Sequence, residues 1–414
     1  MLEISNVSEK KYDVVIVGAG LVGQAIAAAL LLQQQQQNSR RPLSIALVDP
    51  ARISQPVPAQ SLTDYDLRVS ALTAQTQQLL QDVGAWQHIP PQALSPYTEM
   101  KVWDGEGTGA VHFSAADLKV DNLGHIVENR QTLAALQQVL DDSAVSFIHQ
   151  PVRYLDNRDS AGNTPLVLEN GETLLARLVV GADGALSRVR QWAGLATREW
   201  DYEHHAIVAS VECEQPLAAT AWQRFRQQGP LAFLPLAGNE HFASIVWSTT
   251  PEEAEQLLAL DDGAFSQALT EAFEGRLGQI LSCSQRVAFP LRQRHAKDYW
   301  CDGVVLAGDA AHTIHPLAGQ GVNLGFKDAA VLAEELVRGF NKGLDIGGAA
   351  VLARYQRRRQ ADNLATMAAM QGFKELFAAE APLLRLLRNE GLRWFDKLLP
   401  VKQHVMQQAM GLKN

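Results

Sequence analysis

The N-terminal part of the chain swings between unbroken apolar runs and turn-forming residues. Residues 12–17 are β-rich and almost wholly apolar, the pattern of a strand buried on both faces, and 21–32 are apolar over a length that suits a helix. A second strand is predicted over 44–48. The glutamine run 33–37, with Asn38, Ser39, Arg40, Arg41 and Pro42 after it, reads as a frayed helix end continuing into a loop insertion. Helical periodicity is expected over 73–83 and 131–140, with strands near 152 and 166 and over 174–180. Residues 104–109 are rich in glycine but no helix follows them, so they read as a hairpin turn. Between 200 and 290 the short alternating runs 206–212, 231–236 and 242–247 predict a mainly antiparallel sheet, and from 350 onward the pattern is helical.

A βαβ start, an antiparallel middle and a late return of the first pattern predict an α/β (α+β) protein whose two domains interleave in sequence. The expected partition is a nucleotide-binding Rossmann-type domain from 1–75, 100–195 and 290–345, a substrate domain from 76–99 and 196–289, and a C-terminal helical region over 346–414. A site between two such domains follows.

Composition narrows the function. The chain has 414 residues, 47% of them hydrophobic, and a formal charge of −9, with no basic run longer than Arg357, Arg358 and Arg359, which argues against nucleic acid as a partner. Cys213, Cys283 and Cys301 form no CxxC pair, so neither a disulfide framework nor a zinc site is expected. The polar N-terminus lacks the character of a signal peptide, and no apolar run approaches the roughly 20 residues of a bilayer span. A cytoplasmic protein is expected, with any membrane contact peripheral.

Three strand ends carry candidate chemistry. Gly18-x-Gly20-Leu21-Val22-Gly23 follows the first strand and opens its helix: Gly18 permits the turn, Gly20 lets a pyrophosphate approach the backbone, and Gly23 allows close helix packing. Asp49, at the end of the second strand, can accept from ribose hydroxyls. The second strand end is Gly181-Ala182-Asp183-Gly184. The third, Gly308-Asp309, offers a carboxylate to polyol hydroxyls, and Pro316 and Gly319-x-Gly321 then lead into a helix beginning near Val322 and Asn323. A helix N-terminus there stabilises the negative charge of a reduced flavin.

In this order and spacing the three motifs resemble the single-component flavoprotein aromatic hydroxylases of the para-hydroxybenzoate hydroxylase fold. Within that group, residues 310–325 resemble the ubiquinone-biosynthesis hydroxylase family, and 124–130, 229–235, 244–249 and 370–373 are most similar to its VisC-type branch, the 2-polyprenylphenol 6-hydroxylases. The resemblance implies FAD as cofactor and NAD(P)H and O2 as co-substrates. The implied reaction converts 2-octaprenylphenol to 2-octaprenyl-6-hydroxyphenol through a flavin hydroperoxide; a sister ring position, or a flavin-binding structural subunit of a biosynthetic complex, is the alternative. On this resemblance Asp309 binds the ribityl chain, Asp183 faces the pyrophosphate, Gly321, Val322 and Asn323 contact the flavin ring, and Arg68 and Arg130 hold the cofactor.

His315 is the candidate general base, with a hydrogen-bonded structural role as the alternative for both His312 and His315. Their spacing without acidic partners is poor metal-ligand geometry, so no metal is expected. Phe225, Phe233, Leu234, Pro235 and Trp247 are the candidate walls for an apolar prenylated phenol. From Phe373 onward the chain holds seven Lys/Arg against four Asp/Glu among many Leu, Phe and Trp residues. That composition suits a membrane surface, another ubiquinone-pathway protein or a second copy, with packing on its own body as the alternative.

Overall fold

The computed structural model describes residues 10–39, 41–57, 59, 61–313, 321–378, 389–391, 394–396 and 398–411. Five parallel strands form the centre of the eight-stranded first sheet, in the spatial order Val304–Leu306, Thr173–Gly181, Lys10–Val17, Ile45–Val48 and Ser146–Ile148. Their sequences are unbroken apolar runs because both faces are covered, and Val14, Val15, Ile16, Val179 and Val180 have no exposed surface. Helices Leu21–Gln36 and Gly321–Asn341 pack together over this sheet, and Asn129–Asp141 packs beside the first of them.

The glutamine run is the helix end expected of it: Gln33 to Gln36 form the last turn of helix Leu21–Gln36 and Gln37 is its C-cap, so the loop insertion of the alternative is absent there. One of its residues is structural: Gln34 is buried, and its amide oxygen accepts from the Leu43 N–H at 2.5 Å, joining the helix end to the chain entering the second strand.

The second sheet is antiparallel for most of its extent, as the alternating patterns predict. Strand Thr197–Cys213 pairs with Phe242–Thr249 and Val287–Ala296, and the sheet continues through Gly229–Pro235 and Thr220–Arg226. Helix Pro251–Ala259 supplies the second core with Ala254 and Leu257, and helix Asp262–Ala272 with Phe265 and Leu269, packed with Trp103, Phe233, Trp247 and Phe273.

The domain partition differs from expectation around residue 100. Strands Glu99–Asp104 and Ala110–Ser114 form the hairpin expected around 104–109, but they belong to the second sheet, where Glu99–Asp104 runs parallel to Thr220–Arg226. Helix Ala74–Asp82, expected in the substrate domain, buries Leu80 in the first core. Apolar periodicity reports which face of an element is buried, and both cores present the same kind of face to it.

A small sheet of Val69–Leu72, Gly124–Glu128 and Ser95–Tyr97 lies where the two bodies meet: Val127 packs in the first core, while Ile126 packs with Leu234 of the second sheet. Helix Leu399–Met410 closes this region by burying Met406 and Met410 in the same cluster. Among the described residues, no helix is long and apolar enough to cross a membrane.

Candidate active site

Parallel register brings the three motifs to one edge. Val17 lies opposite both Gly181 and Val48, and Gly181 lies opposite Leu306, so Gly18, Asp49, Ala182 and Ala307 emerge side by side. Hydrogen bonds continue the ladder one step further: Gly18 N–H donates to the Val48 carbonyl at 2.9 Å, Ala182 N–H to Val17 at 2.8 Å, and Ala307 N–H to Gly181 at 3.0 Å.

The glycines at this edge have separate duties. Gly18 has φ +102°, and a Cβ on it would lie 2.4 Å from the Ala182 carbonyl oxygen. A Cβ on Gly23 would lie 1.9 Å from the Gly18 oxygen, whereas one on Gly20 would meet nothing within 4 Å. Gly18 and Gly23 therefore serve the protein's own packing, and Gly20 faces open space at the start of helix Leu21–Gln36, where free N–H groups favour a phosphate. Val22 points away from that space: Cβ atoms placed on Gly308 and Gly325 would lie 3.0 and 2.5 Å from its methyl group. Leu21 is half-buried and packs on the first core.

Asp49 is half-buried and anchored by backbone, accepting from Ala19 N–H and Ala51 N–H at 2.8 Å each. These bonds aim it beside the glycine turn and leave lone pairs for a ribose hydroxyl. Asp309 has accessible surface although protein crowds it on most sides. That crowding pushes its carboxyl above the usual range, against the pull of His312 and Arg68. Arg68 is exposed, with its guanidinium 5.6 Å from the centre of the Phe289 ring. Thus the structure brings Arg68 and Asp309 into one electrostatic unit.

Other expected ligands are committed elsewhere. Asp183 accepts from the Ser187 hydroxyl at 2.6 Å and from the N–H groups of Arg188 and Val189 at 2.7 and 3.2 Å, so its carboxylate caps helix Arg188–Trp192. Asn323 is buried: its oxygen accepts from Thr73 N–H and the Thr76 hydroxyl, and its amide donates to the Ala71 carbonyl at 2.8 Å. Its side chain locks the start of helix Gly321–Asn341 to the small sheet and is not directed to a ring; Gly321 and Val322 beside it are half-buried. Arg130 donates to the Asp64 carbonyl at 2.6 Å and pairs with Glu128 at 2.8 Å. His315, Pro316 and Gly319 lie outside the described residues.

Sequence reasoning missed Asp328 and Arg359. Asp328 is fully buried and accepts from Gly308 N–H at 2.9 Å, His312 Nε2 at 2.5 Å and Arg359 Nε at 2.7 Å. Burial alone would raise its carboxyl, but His312 and Arg359 outweigh that and hold it at about 2. His312 is therefore the hydrogen-bonded structural histidine of the alternative reading. A usable signal was present: Asp328 sits on the apolar stripe of its helix, between Leu324 and Leu332.

These residues fit FAD. An open cradle at Gly20, the anchored carboxylate of Asp49, the exposed carboxylate of Asp309 on the same sheet edge and a helix N-terminus match a pyrophosphate flanked by two polyols. Residues 11–369 match the FAD binding domain family. The chain is 36% identical over 400 residues, 97% of its own length and 98% of the relative's, to the 3-demethoxyubiquinol 3-hydroxylase of Escherichia coli (strain K12). It is also 34% identical to the mitochondrial ubiquinone biosynthesis monooxygenase COQ6 of Xenopus tropicalis, over 97% of this chain and 94% of that one. The chain belongs to the FAD-dependent hydroxylase family of ubiquinone biosynthesis.

The fold of this hydroxylase is that of other flavin monooxygenases. It superposes on p-nitrophenol 4-monooxygenase PnpA of Pseudomonas putida with a TM-score of 0.75 at 19% identity, covering 98% of this chain and 99% of that one. Bound at this edge, FAD would supply the redox chemistry that links NAD(P)H and O2 to the aromatic substrate. Asp49, Asp309 and the open Gly20 turn are the residues that would hold the cofactor there, and the protein's remaining part would be to position an aromatic ring beside it. Among the described residues no group of three or more His, Cys, Asp or Glu could hold a metal ion.

The expected substrate walls require correction. Side chains alternate along a strand, so Leu231, Phe233 and Pro235 point to one face and Leu234 to the other. Phe233 and Trp247 are in the core beneath the two helices, with Phe233 only 4.0 Å from Phe273 between ring centres, and Pro235 pairs with Ala243 of that same core. Phe225 is on the opposite face but at the far end of its strand, beside Gly105. Leu234 is on that face at the near end, where the Tyr65 hydroxyl donates to the Ala237 carbonyl at 2.5 Å, next to the segment carrying Arg68.

Proposed function

We propose that this hydroxylase oxidises an aromatic ring carbon of a late polyprenylated quinol, at the position named for its E. coli relative, the 3-position of a demethoxyubiquinol. The observation that carries this reading is the 36% identity across 97% of the chain. Hydroxylation of 2-octaprenylphenol at position 6 is the second reading, favoured by the similarity of residues 124–130 and 229–235 to the VisC-type branch. The apolar surface around Leu234 supports either substrate, since both combine a ring with a long hydrocarbon tail. Exposed Trp394, Leu398, Leu399, Val401 and Val405 in the C-terminal region support a peripheral contact with the membrane that dissolves such a tail.

The deciding experiment deletes the gene and determines the ring pattern of the quinone intermediate that accumulates. Accumulated demethoxyubiquinol, cleared by the wild-type gene and not by Asp309→Ala, supports the first reading. Accumulated 2-polyprenylphenol replaces it with the second, and an unchanged quinone pool refutes both.

A further inference from the structure

The turn Gly308–Ala311 is where the chain passes from one sheet to the other: Val304–Leu306 pairs in the parallel sheet, and His312–Thr313 pairs with Arg294 and His295 of the antiparallel one. Its two ends are held from behind by one carboxylate. Asp328 Oδ2 takes both the Gly308 N–H at 2.9 Å and His312 Nε2 at 2.5 Å, while Asp309, between those ends, is exposed. The other oxygen of Asp328 takes Arg359 Nε at 2.7 Å. Arg359 comes from the long helix Ala349–Ala378 and is itself fixed by Asp362 at 2.6 Å and Asn363 at 2.7 Å. Asn363 in turn donates to the Tyr299 hydroxyl, which bonds His295 at 2.9 Å.

We propose that Asp328, oriented by Arg359, is a positioning residue for FAD: it clamps both ends of the Gly308–His312 turn so that Asp309 projects into the cleft, and it makes the long C-terminal helix a required part of the cofactor site. A carboxylate accepting from a backbone N–H and an imidazole sets the turn's curvature, as outer partners set the orientation of ligands elsewhere. The guanidinium neutralises a charge that burial would otherwise disfavour.

The test measures FAD dissociation from the apoprotein by flavin fluorescence, with urea unfolding of the same apoprotein alongside. Asp328→Asn and His312→Phe are each expected to raise the FAD Kd on the order of tenfold. Because both act through the same turn, the double variant should lose no more than the worse single one. His312→Gln, which retains a donor toward Asp328, should restore binding to within about threefold of wild type. Tyr355→Phe removes a different bond from the same long helix, to the Leu306 carbonyl at 3.0 Å, and should lower stability without changing Kd. Should Asp328→Asn fail to fold, the His312→Phe and His312→Gln pair decides alone. Unchanged Kd in folded variants, multiplicative losses in the double variant, or an equal loss in Tyr355→Phe would overturn the proposal. A wild-type protein that takes up no flavin would overturn it together with the cofactor assignment.

Discussion

Gly20→Ala and Gly23→Ala, three residues apart in one turn, should fail in opposite ways. At Gly23 the new carbon would sit 1.9 Å from the Gly18 oxygen, whereas a carbon normally keeps about 3.3 Å from a carbonyl oxygen. The overlap exceeds about 1 Å against backbone, which cannot rotate aside, so the helix must move off the strand. That places the cost at the upper end of the roughly 1–3 kcal/mol of overpacked sites. At Gly20 the new methyl meets nothing within 4 Å, and φ of −72° is open to any residue. Losing glycine's unfolded-state freedom stabilises by about 0.4–1 kcal/mol, and alanine's poorer fit at a helix N-cap offsets a similar amount. Apo Gly20→Ala should therefore unfold within about 1 kcal/mol of wild type. It should nonetheless lose FAD affinity, because its methyl occupies the space a pyrophosphate needs. Urea unfolding of the apoproteins and FAD titration separate the two effects. Wild-type FAD affinity in Gly20→Ala would refute the assignment of that open face to the cofactor, and an unperturbed Gly23→Ala would refute the packing argument.

Three further outcomes are expected. His295 is buried against Tyr299, and burial, with the charges of His312 and Arg198, lowers its pKa to about 4. Its folded value lies below the unfolded one, so its contribution is complete above pH ~6.5 and is lost as pH falls toward 4, by up to about 3 kcal/mol. Burial lowers His125 as well, with the same sign. Urea unfolding from pH 7.5 to 4 should show this slope and His295→Asn should flatten it; equal slopes would contradict the assignment. Phe233→Ala should cost about 3–5 kcal/mol without a selective change in the KM for the aromatic substrate, whereas Leu234→Ala should raise that KM; the reverse pattern would return Phe233 to the substrate wall. Replacing Leu398, Val401 and Val405 together by Ser should reduce sedimentation of the protein with lipid vesicles, and undiminished binding would count against that face.

The parts of the fold that were legible are those whose sequence pattern has one structural meaning. An apolar run ending in Gly18-x-Gly20-x-x-Gly23 becomes a strand, turn and helix because a side chain at Gly18 or Gly23 would strike backbone. The placement of Asp49 and Asp309 at the sheet edge was legible for a related reason, since each follows a buried strand. Alternation was legible in the middle of the chain, but its sign was not. Leu234 and Phe233 are adjacent and both buried, and nothing local tells which face meets the two helices and which meets the small sheet. The helix Ala74–Asp82 was assigned to the wrong body by the same ambiguity.

Asp183, Asn323 and Asp328 show why the polar residues of the site were harder to read. A carboxylate after a strand and glycine can face a ligand or cap the next helix, and the Ser187 hydroxyl four residues on decides for the cap in Asp183. Asn323 lies at the helix start expected to face the flavin, yet its partners come from Ala71, Thr73 and Thr76, some 250 residues earlier. Asp328 answers to Gly308 and His312 before it and Arg359 after it, so no window of sequence contains its environment. Removing a single partner from such a group leaves a buried charge uncompensated, which costs more than the bond itself. The residues that hold the Gly308–His312 turn in shape are thus bound to distant parts of the chain, whereas the glycines and carboxylates at the strand ends follow directly from local backbone geometry.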